Sequence, residues 1–189
     1  WVLNKLKPLL EDPKIKKVGQ NIKYDLIVLR NEGISLQGVS FDTMLASYIL
    51  NPSGRRHNMD DLAQDYLGHT TIKYKDVVGT ASKEIGFDEV DIERATNYAA
   101  EDADITWRLY EKLKPLLQAD DLKIFEELEV PLLEVLAEME IHGMKLDKDH
   151  LQNLSKLIQK KIEDYVKKIY SSAGEEFNIN SPKQLSEIL

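Results

Sequence analysis

Two short clusters in the chain combine carboxylates with hydroxyl, amide and ammonium groups. The first, Gly-Gln-Asn-Ile-Lys-Tyr-Asp, ends at Asp25, and the second, Tyr-Ala-Ala-Glu-Asp-Ala-Asp, begins at Tyr98. Asn21 and Asp25 are four residues apart, as are Tyr98 and Asp102, so each pair shares one face of a helix. A carboxylate beside a phenol hydroxyl can hold a divalent cation and orient the water that the cation activates. Such a pair could serve metal-assisted phosphodiester hydrolysis, although either cluster alone is more typical of a solvated helix face.

The composition limits which other groups could act. The chain has 189 residues and no cysteine, so a disulfide, a thiolate metal site and a cysteine nucleophile are excluded. A metal must then be held by carboxylates, histidine or water. No apolar run approaches the ~20 residues of a membrane span, and we expect a soluble cytoplasmic protein with no membrane partner. Because the chain begins with Trp1 and ends at Leu189 inside an apolar-periodic stretch, we expect a piece of a longer protein.

The net charge of −8 is unevenly distributed along the chain. Residues 1–118 carry a net charge of −2 and residues 119–189 one of −6. A protein that binds nucleic acid mainly by neutralising phosphates is basic, so a passive binding module is disfavoured. An enzyme whose acids hold Mg²⁺ against phosphates is compatible with this charge, because the metal supplies the positive charge. The change in charge also places a domain boundary near residue 119.

Apolar spacing and capping residues predict a mostly helical chain with two short strands. Asp42 is expected to begin a helix as its cap, and Ser181 followed by Pro182 to begin another. Trp107, on the long helix that carries Tyr98, is expected in the core. The predicted elements are helices over about 2–10, 22–30, 44–50, 59–67, 92–117, 125–141, 148–170 and from 182, strands over 16–19 and 34–41, and loop with short helical turns over 69–90.

Together, the two clusters resemble the second and third motifs of the proofreading 3′→5′ exonuclease domain of family A DNA polymerases, the bacterial DNA polymerase I type. Residues 41–51 and 174–185 resemble the same polymerases, so the resemblance covers essentially the whole chain. It implies an α/β, ribonuclease-H-like exonuclease fold that is partial, lacking its first strands, over residues 1–118. An all-α segment, the start of the polymerase thumb, is implied over residues 119–189.

The resemblance also implies roles for individual residues. Asp25 and Asp102 would be two of four acidic ligands of a two-metal site that takes Mg²⁺, with Mn²⁺ or Zn²⁺ as alternatives. Tyr98 would position the attacking water, which places the chain in the tyrosine-bearing subgroup. Six further residues match positions that hold the frayed single strand of DNA at its 3′ end: Gln20, Asn21, Lys23, Tyr24, Arg56 and Tyr74.

One motif of that family is not found where the resemblance requires it. The first motif, an Asp-x-Glu that supplies the other two metal ligands, lies upstream of the second, and nothing before Gly19 has that form. Asp91-Ile92-Glu93 has the form but opens the same helix as Tyr98, so we interpret its acids as a helix N-terminus. We therefore hypothesise that this chain holds half a metal site and does not hydrolyse DNA by itself.

The implied partners follow from the parent polymerase. They are a single-stranded 3′ end of DNA at the exonuclease site, a primer–template duplex at the thumb, and deoxynucleotides, and the protein is expected to be a monomer. Two alternatives remain open. A ribonuclease-D-like RNA exonuclease shares both motifs and the tyrosine, but residues 119–189 argue against it. A non-catalytic scaffold domain of a polymerase is the other, and intact Asp25, Tyr98 and Asp102 count against it.

Overall fold

The structure, a computed structural model, describes residues 2–54, 56–80 and 84–189. The chain forms two compact units, of which the first runs to Gly143 and the second covers Met144–Leu189. Within the described residues, no helix combines the length and the apolar character that crossing a membrane would need.

Helices dominate the described part of the chain, as the apolar spacing predicts. The elements are α1 (Val2–Leu10), β1 (Lys17–Gly19), α2 (Ile22–Asn31), β2 (Val39–Asp42), α3 (Thr43–Leu50), α4 (Met59–Leu62), a π-helical turn (Ala63–Leu67), α5 (Tyr74–Val78), a 3₁₀ turn (Phe87–Glu89), α6 (Ile92–Leu113), a 3₁₀ turn (Lys114–Leu116), α7 (Ala119–Ile124), a π-helical turn (Phe125–Glu129), α8 (Val130–His142), α9 (Lys148–Ala173) and α10 (Pro182–Ile188). The predicted loop with short turns over 69–90 is confirmed, apart from residues 81–83, which lie outside the described residues.

The two strands run parallel, and α2 is the crossover between them. Val18 of β1 is paired with Phe41 of β2, and Gly19 with Asp42. The predicted strand over 34–41 is wrong in its first half, because pairing begins only at Val39. The apolar alternation there has another cause: Ile34 and Leu36 are buried in the core although their backbone is not paired in the described sheet. Burial of alternate side chains thus produces a strand-like pattern without a strand.

The core of the first unit includes residues beyond position 118. The helix predicted from Phe125 begins earlier, at Ala119, because Asp120 and Asp121 favour a helix N-terminus. The Phe125 ring is fully buried, 4.8 Å from the ring of Phe41 on β2. Residues 119–143 are therefore part of the compact unit that contains both clusters. The domain boundary near residue 119, taken from the change in charge, stays a prediction.

Helix α8 packs directly on α2, the helix that carries Asp25. Leu133 of α8 is buried in an apolar cluster with Ile22 and Leu36. Ion pairs between Lys23 and Glu140 and between Arg30 and Glu138 join the same two helices. The seam between α2 and α8 thus combines an apolar centre with charged edges.

The second unit consists of α9 and α10. Helix α9 ends where Gly174 adopts a positive φ of 79°, and Ser181 caps α10 by accepting a hydrogen bond from the Gln184 amide, as predicted. Between them, the Tyr170 hydroxyl donates to the Phe177 carbonyl at 2.9 Å, and the two rings contact edge to face. These contacts close the loop between the two helices.

Leu133→Ala tests whether residues beyond 118 stabilise the first unit. Leu133 is 5% exposed, so the substitution leaves a cavity against α2 and should lower the free energy of unfolding by about 2–4 kcal/mol. Leu128→Ala is the matched control, because Leu128 is 57% exposed and its loss should cost less than about 1 kcal/mol. Urea unfolding followed by circular dichroism measures both, and equal effects would contradict the burial of Leu133 against α2.

Candidate functional site

Asp25 lies one turn into α2, and the start of this helix has an unusual backbone. After β1 the chain turns sharply, with Asn21 in the left-handed region at φ 55° and ψ 45°. Gly19 is required just before it, because a Cβ there would lie 2.7 Å from the Ile22 Cβ. Burial raises the pKa of Asp25, and Asp25 is near enough to Asp42, the last residue of β2, for the charge of Asp42 to raise it as well.

A buried carboxylate, Asp42, holds this turn in place. Its Oδ2 accepts a hydrogen bond from the Ile22 amide at 2.7 Å, and its Oδ1 accepts from Met44 at 2.8 Å and Leu45 at 3.2 Å. Asp42 therefore caps α3, as predicted, and also binds the first turn of α2. Burial raises the pKa of Asp42 above its usual value, although these amide bonds lower it.

Tyr98 and Asp102 lie on adjacent turns of α6, as their spacing predicts. The Tyr98 hydroxyl is hydrogen-bonded to the Asp102 carboxylate, while Asp102 Oδ1 is buried with no hydrogen-bond partner in the described structure. Burial, the charge of Asp102 and this hydrogen bond raise the pKa of Tyr98 to about 12. The phenol therefore keeps its proton at neutral pH.

Asp25 and Asp102, about eighty positions apart in the chain, line the same cleft of about 540 Å³. Trp107 lines it too and is 53% exposed, so its predicted place in the core is wrong. Trp107 is two residues from both Ile105 and Leu109, so it lies on the face of α6 opposite these buried side chains. The structure thus brings together two of the predicted metal ligands from separate helices.

The electrostatics of the cleft favour protonated acids or a bound cation. Partial burial and the charge of Asp42 raise the pKa of Asp25, although a backbone hydrogen bond lowers it. Burial and the charges of Glu101 and Asp60 raise the pKa of Asp102, which the hydrogen bond from Tyr98 lowers. Groups with shifts of this kind are typical of functional sites.

These residues fit part of a metal site. Asp25 and Asp102 both line the cleft, and the unpaired Oδ1 of Asp102 is an oxygen atom of the type that Mg²⁺ prefers. Among the described residues, no three His, Asp or Glu side chains come together as a metal-binding group. Asp91, part of the Asp-x-Glu string, caps α6 through the Glu93 and Arg94 amides, as interpreted from the sequence.

Two of the residues predicted to bind DNA have side chains that are engaged within the protein. The Gln20 amide donates to the His57 carbonyl at 2.9 Å and accepts from the Thr43 hydroxyl. The Lys23 ammonium is paired with Glu140 of α8. That both residues bind DNA stays a prediction. Gln20 would have to bind through its backbone groups, and Lys23 would have to exchange Glu140 for a phosphate.

The other four predicted DNA-binding residues are spread over the surface. Asn21 forms the left-handed turn, and Tyr24 beside it is two-thirds exposed. Tyr74, half-exposed, lies with its ring 6.2 Å from the ring of Tyr98. Arg56 lines a separate polar cavity of about 480 Å³ together with His57. Of these four, Tyr74 is the one with a described ring contact to Tyr98.

Three acidic residues near the cleft were not singled out from the sequence. Asp42 was identified only as a helix cap, while Asp60 and Glu101 carried no separate prediction. Hydrogen bonds from Lys73 and Thr71 lower the pKa of Asp60, although burial raises it. Burial raises the pKa of Glu101, but hydrogen bonds from His69 and from the Ile72 amide outweigh this effect and lower it. The partners of Asp60 and Glu101 lie 11 to 32 positions away, so local spacing holds no signal for these two acids.

Comparisons with known proteins agree on one family. A family model described as 3′-5′ exonuclease matches residues 2–118. DNA polymerase I of Pseudomonas aeruginosa is 47% identical over 100% of this chain, and that of Rhizobium leguminosarum is 50% identical over 99%. The chain spans only 21% and 18% of those two proteins.

A solved structure is similar over nearly the whole chain. It is the POL domain of Pol1 from M. smegmatis, in complex with DNA primer-template and dNTP. The TM-score is 0.69 and the identity 29%, over 98% of this chain and 29% of that one.

Asp102→Asn tests the electrostatics of the cleft. Because the pKa of Asp102 is raised in the folded protein, the folded state binds more protons than the unfolded chain above pH ~4. The free energy of unfolding of the wild type should then fall as the pH rises above ~4. The variant keeps a side-chain oxygen for Tyr98 but has no carboxylate to titrate, so its free energy of unfolding should fall less. Without divalent cations it should therefore be more stable than the wild type at pH 7.

Urea unfolding at steps from pH 4 to pH 7 measures this difference. Asp104→Asn, an exposed carboxylate on the same helix, is the control and should follow the wild-type curve. A pH dependence of Asp102→Asn that is the same as that of the wild type would contradict the raised pKa.

Proposed function

Because the chain belongs to the 3′-5′ exonuclease family of family A DNA polymerases, we propose that its first unit supplies part of the proofreading site at which the parent protein removes nucleotides from the 3′ end of a DNA strand. The observation that carries this proposal is that Asp25 and Asp102 line one cleft, with Tyr98 hydrogen-bonded to Asp102. Hydrolysis of a phosphodiester at a metal site needs this combination of carboxylates and a positioned water.

Asp25 and Asp102 are the proposed metal ligands. A divalent cation held there, Mg²⁺ with Mn²⁺ or Zn²⁺ as alternatives, would lower the pKa of a water molecule and neutralise charge on the phosphate. Both carboxylates have a raised pKa, so a cation relieves the unfavourable burial of their charges. The buried Oδ1 of Asp102 is available for this role because it has no protein partner in the described structure.

Tyr98 acts as a positioning group for the attacking water. Its pKa of about 12 keeps the phenol neutral, and its proton is donated to Asp102. The lone pairs of the phenol oxygen then remain free to accept a hydrogen bond from a water molecule. Tyr98 therefore orients the water and does not remove its proton as a phenolate.

The single-stranded 3′ end is proposed to bind across the turn before α2 and the half-exposed ring of Tyr74. Aromatic rings stack on bases of any sequence, which suits an exonuclease. Tyr24 and Arg56 would add a ring and a guanidinium, and Asn21 and Gln20 their backbone groups. Lys23 would contact a phosphate by leaving Glu140, a pair that is partly exposed and thus inexpensive to open.

The parent protein is proposed to be a monomeric cytoplasmic DNA polymerase in which residues 119–189 begin the thumb. Its partners would be a primer–template duplex and deoxynucleotides in addition to the frayed 3′ end. Similarity to DNA polymerase I over the full chain disfavours the ribonuclease-D-like alternative, which resembles only the two motifs.

Asp25→Ala in the full-length protein tests the proposed metal site. Release of single nucleotides from a mismatched 3′ end should fall at least about a hundredfold, because a direct ligand is lost. Asp104→Ala, on the exposed side of α6, is the matched control and should keep the wild-type rate. Primer extension by the same proteins shows whether the polymerase remains folded. The chain alone, with two of the four carboxylates, is expected to release no nucleotides.

Two results would contradict the proposal. Unchanged release by Asp25→Ala would remove Asp25 from the metal site. Absence of release by the wild-type full-length protein would favour the scaffold alternative over proofreading.

A further inference from the structure

The segment at residues 69–73, which leads into α5, is attached to the rest of the unit by two carboxylates. Glu101 of α6 binds the His69 ring through Oε1 at 2.9 Å and accepts from the Ile72 amide through Oε2 at 2.6 Å. Asp60 of α4 accepts from the Thr71 hydroxyl at 2.5 Å and pairs with Lys73 at 2.8 Å. The segment is thus fixed from two helices at once.

Helix α6 holds α5 on both sides of Tyr98. Arg94, one turn before Tyr98, donates to the Asp76 carbonyl of α5 at 2.5 Å. Glu101, one turn after Tyr98, holds the segment that enters α5. Since these two contacts flank the same turn of α6, they determine where α5 lies beside Tyr98.

The consequence of this attachment is a cluster of three rings. Tyr74, the first residue of α5, is stacked on Phe87 with ring centroids 6.0 Å apart, and both meet the ring of Tyr98 near edge-on, at 6.2 Å and 6.0 Å. Tyr74 is nevertheless 49% exposed. One part of its ring is therefore held by the protein while the rest is open to a ligand.

Glu101 is adjacent in sequence to Asp102 but is directed elsewhere. Each of its carboxylate oxygens is engaged by the segment at residues 69–73, whereas Asp102 Oδ1 is unpaired and Asp102 lines the cleft. Two neighbouring acids on one helix thus have separate tasks. One is available to a cation, and the other is bonded to protein groups.

We infer that Glu101 is a positioning residue that holds the Tyr74 ring beside Tyr98 and so determines where the terminal base of the 3′ end stacks. The inference rests on the proposed exonuclease function and adds a determinant of substrate binding to it. The Glu101 side chain serves two groups of this segment at once, so its removal leaves both the Ile72 amide and the His69 ring without this partner.

Glu101→Ala in the full-length protein tests this inference. The KM for a single-stranded 3′ end should rise about tenfold, because the stacking ring is no longer held, while kcat changes about twofold or less. Glu101→Gln should restore most of the loss, since its amide can still accept from Ile72 and donate to His69. Glu111→Ala, an exposed acid on the same helix, is the control and should leave both constants unchanged.

Amide hydrogen exchange on the protein without substrate gives a readout that does not depend on activity. Glu101→Ala should speed exchange at Ile72 and through α5, and leave α2 and β1 protected. If the wild type shows no nuclease activity but the exchange result holds, the proposed function fails and the attachment stands.

Two other results would overturn the inference. A fall in kcat at unchanged KM would make Glu101 part of the chemistry. Unchanged KM together with unchanged exchange would mean that the attachment does not position Tyr74.

Discussion

The candidate site depends on one buried carboxylate, Asp42. It accepts hydrogen bonds from the first amide of α2 and from two amides of α3, all at the carboxyl end of β2. The first amides of a helix have no partner within the helix. Because one carboxylate binds such amides of both α2 and α3, it constrains how these two helices are oriented relative to each other. Asp25 lies one turn beyond Ile22, and its distance from the sheet follows from this contact.

The acids around the cleft divide into two groups according to their partners. Asp60 and Glu101 are bonded to a loop, and those bonds lower their pKa values. Asp25 and Asp102 have fewer such bonds, and partial burial among neighbouring charges raises theirs. The first group stabilises the fold by holding a segment, whereas the raised pKa values of the second show that its charges are unfavourable in the folded protein. Sites that bind ligands commonly retain this kind of unfavourable charge.

Local rules predict most of the described elements. Spacing gives Tyr98 and Asp102 on one helix, and the cap at Ser181 is confirmed because it involves only groups within one turn. Errors arise where burial by distant residues decides. Trp107 is a large apolar residue on an amphipathic helix but lies at a cleft, and the alternation over 34–38 reflects core contacts without pairing. In both cases tertiary packing decides which side chains are buried.

By itself, the sequence determined the two motifs, the faces on which their acids lie and the absence of thiol chemistry, because these depend on residue type and on helical spacing. Only the tertiary structure decided that Asp25 and Asp102 share a cleft. It also decided that Asp42 serves two helices, that Glu101 binds a loop 29 positions away, and that residues 119–143 complete the first unit. These facts arise from hydrogen bonds and packing between distant segments, and no periodicity in the chain encodes such contacts.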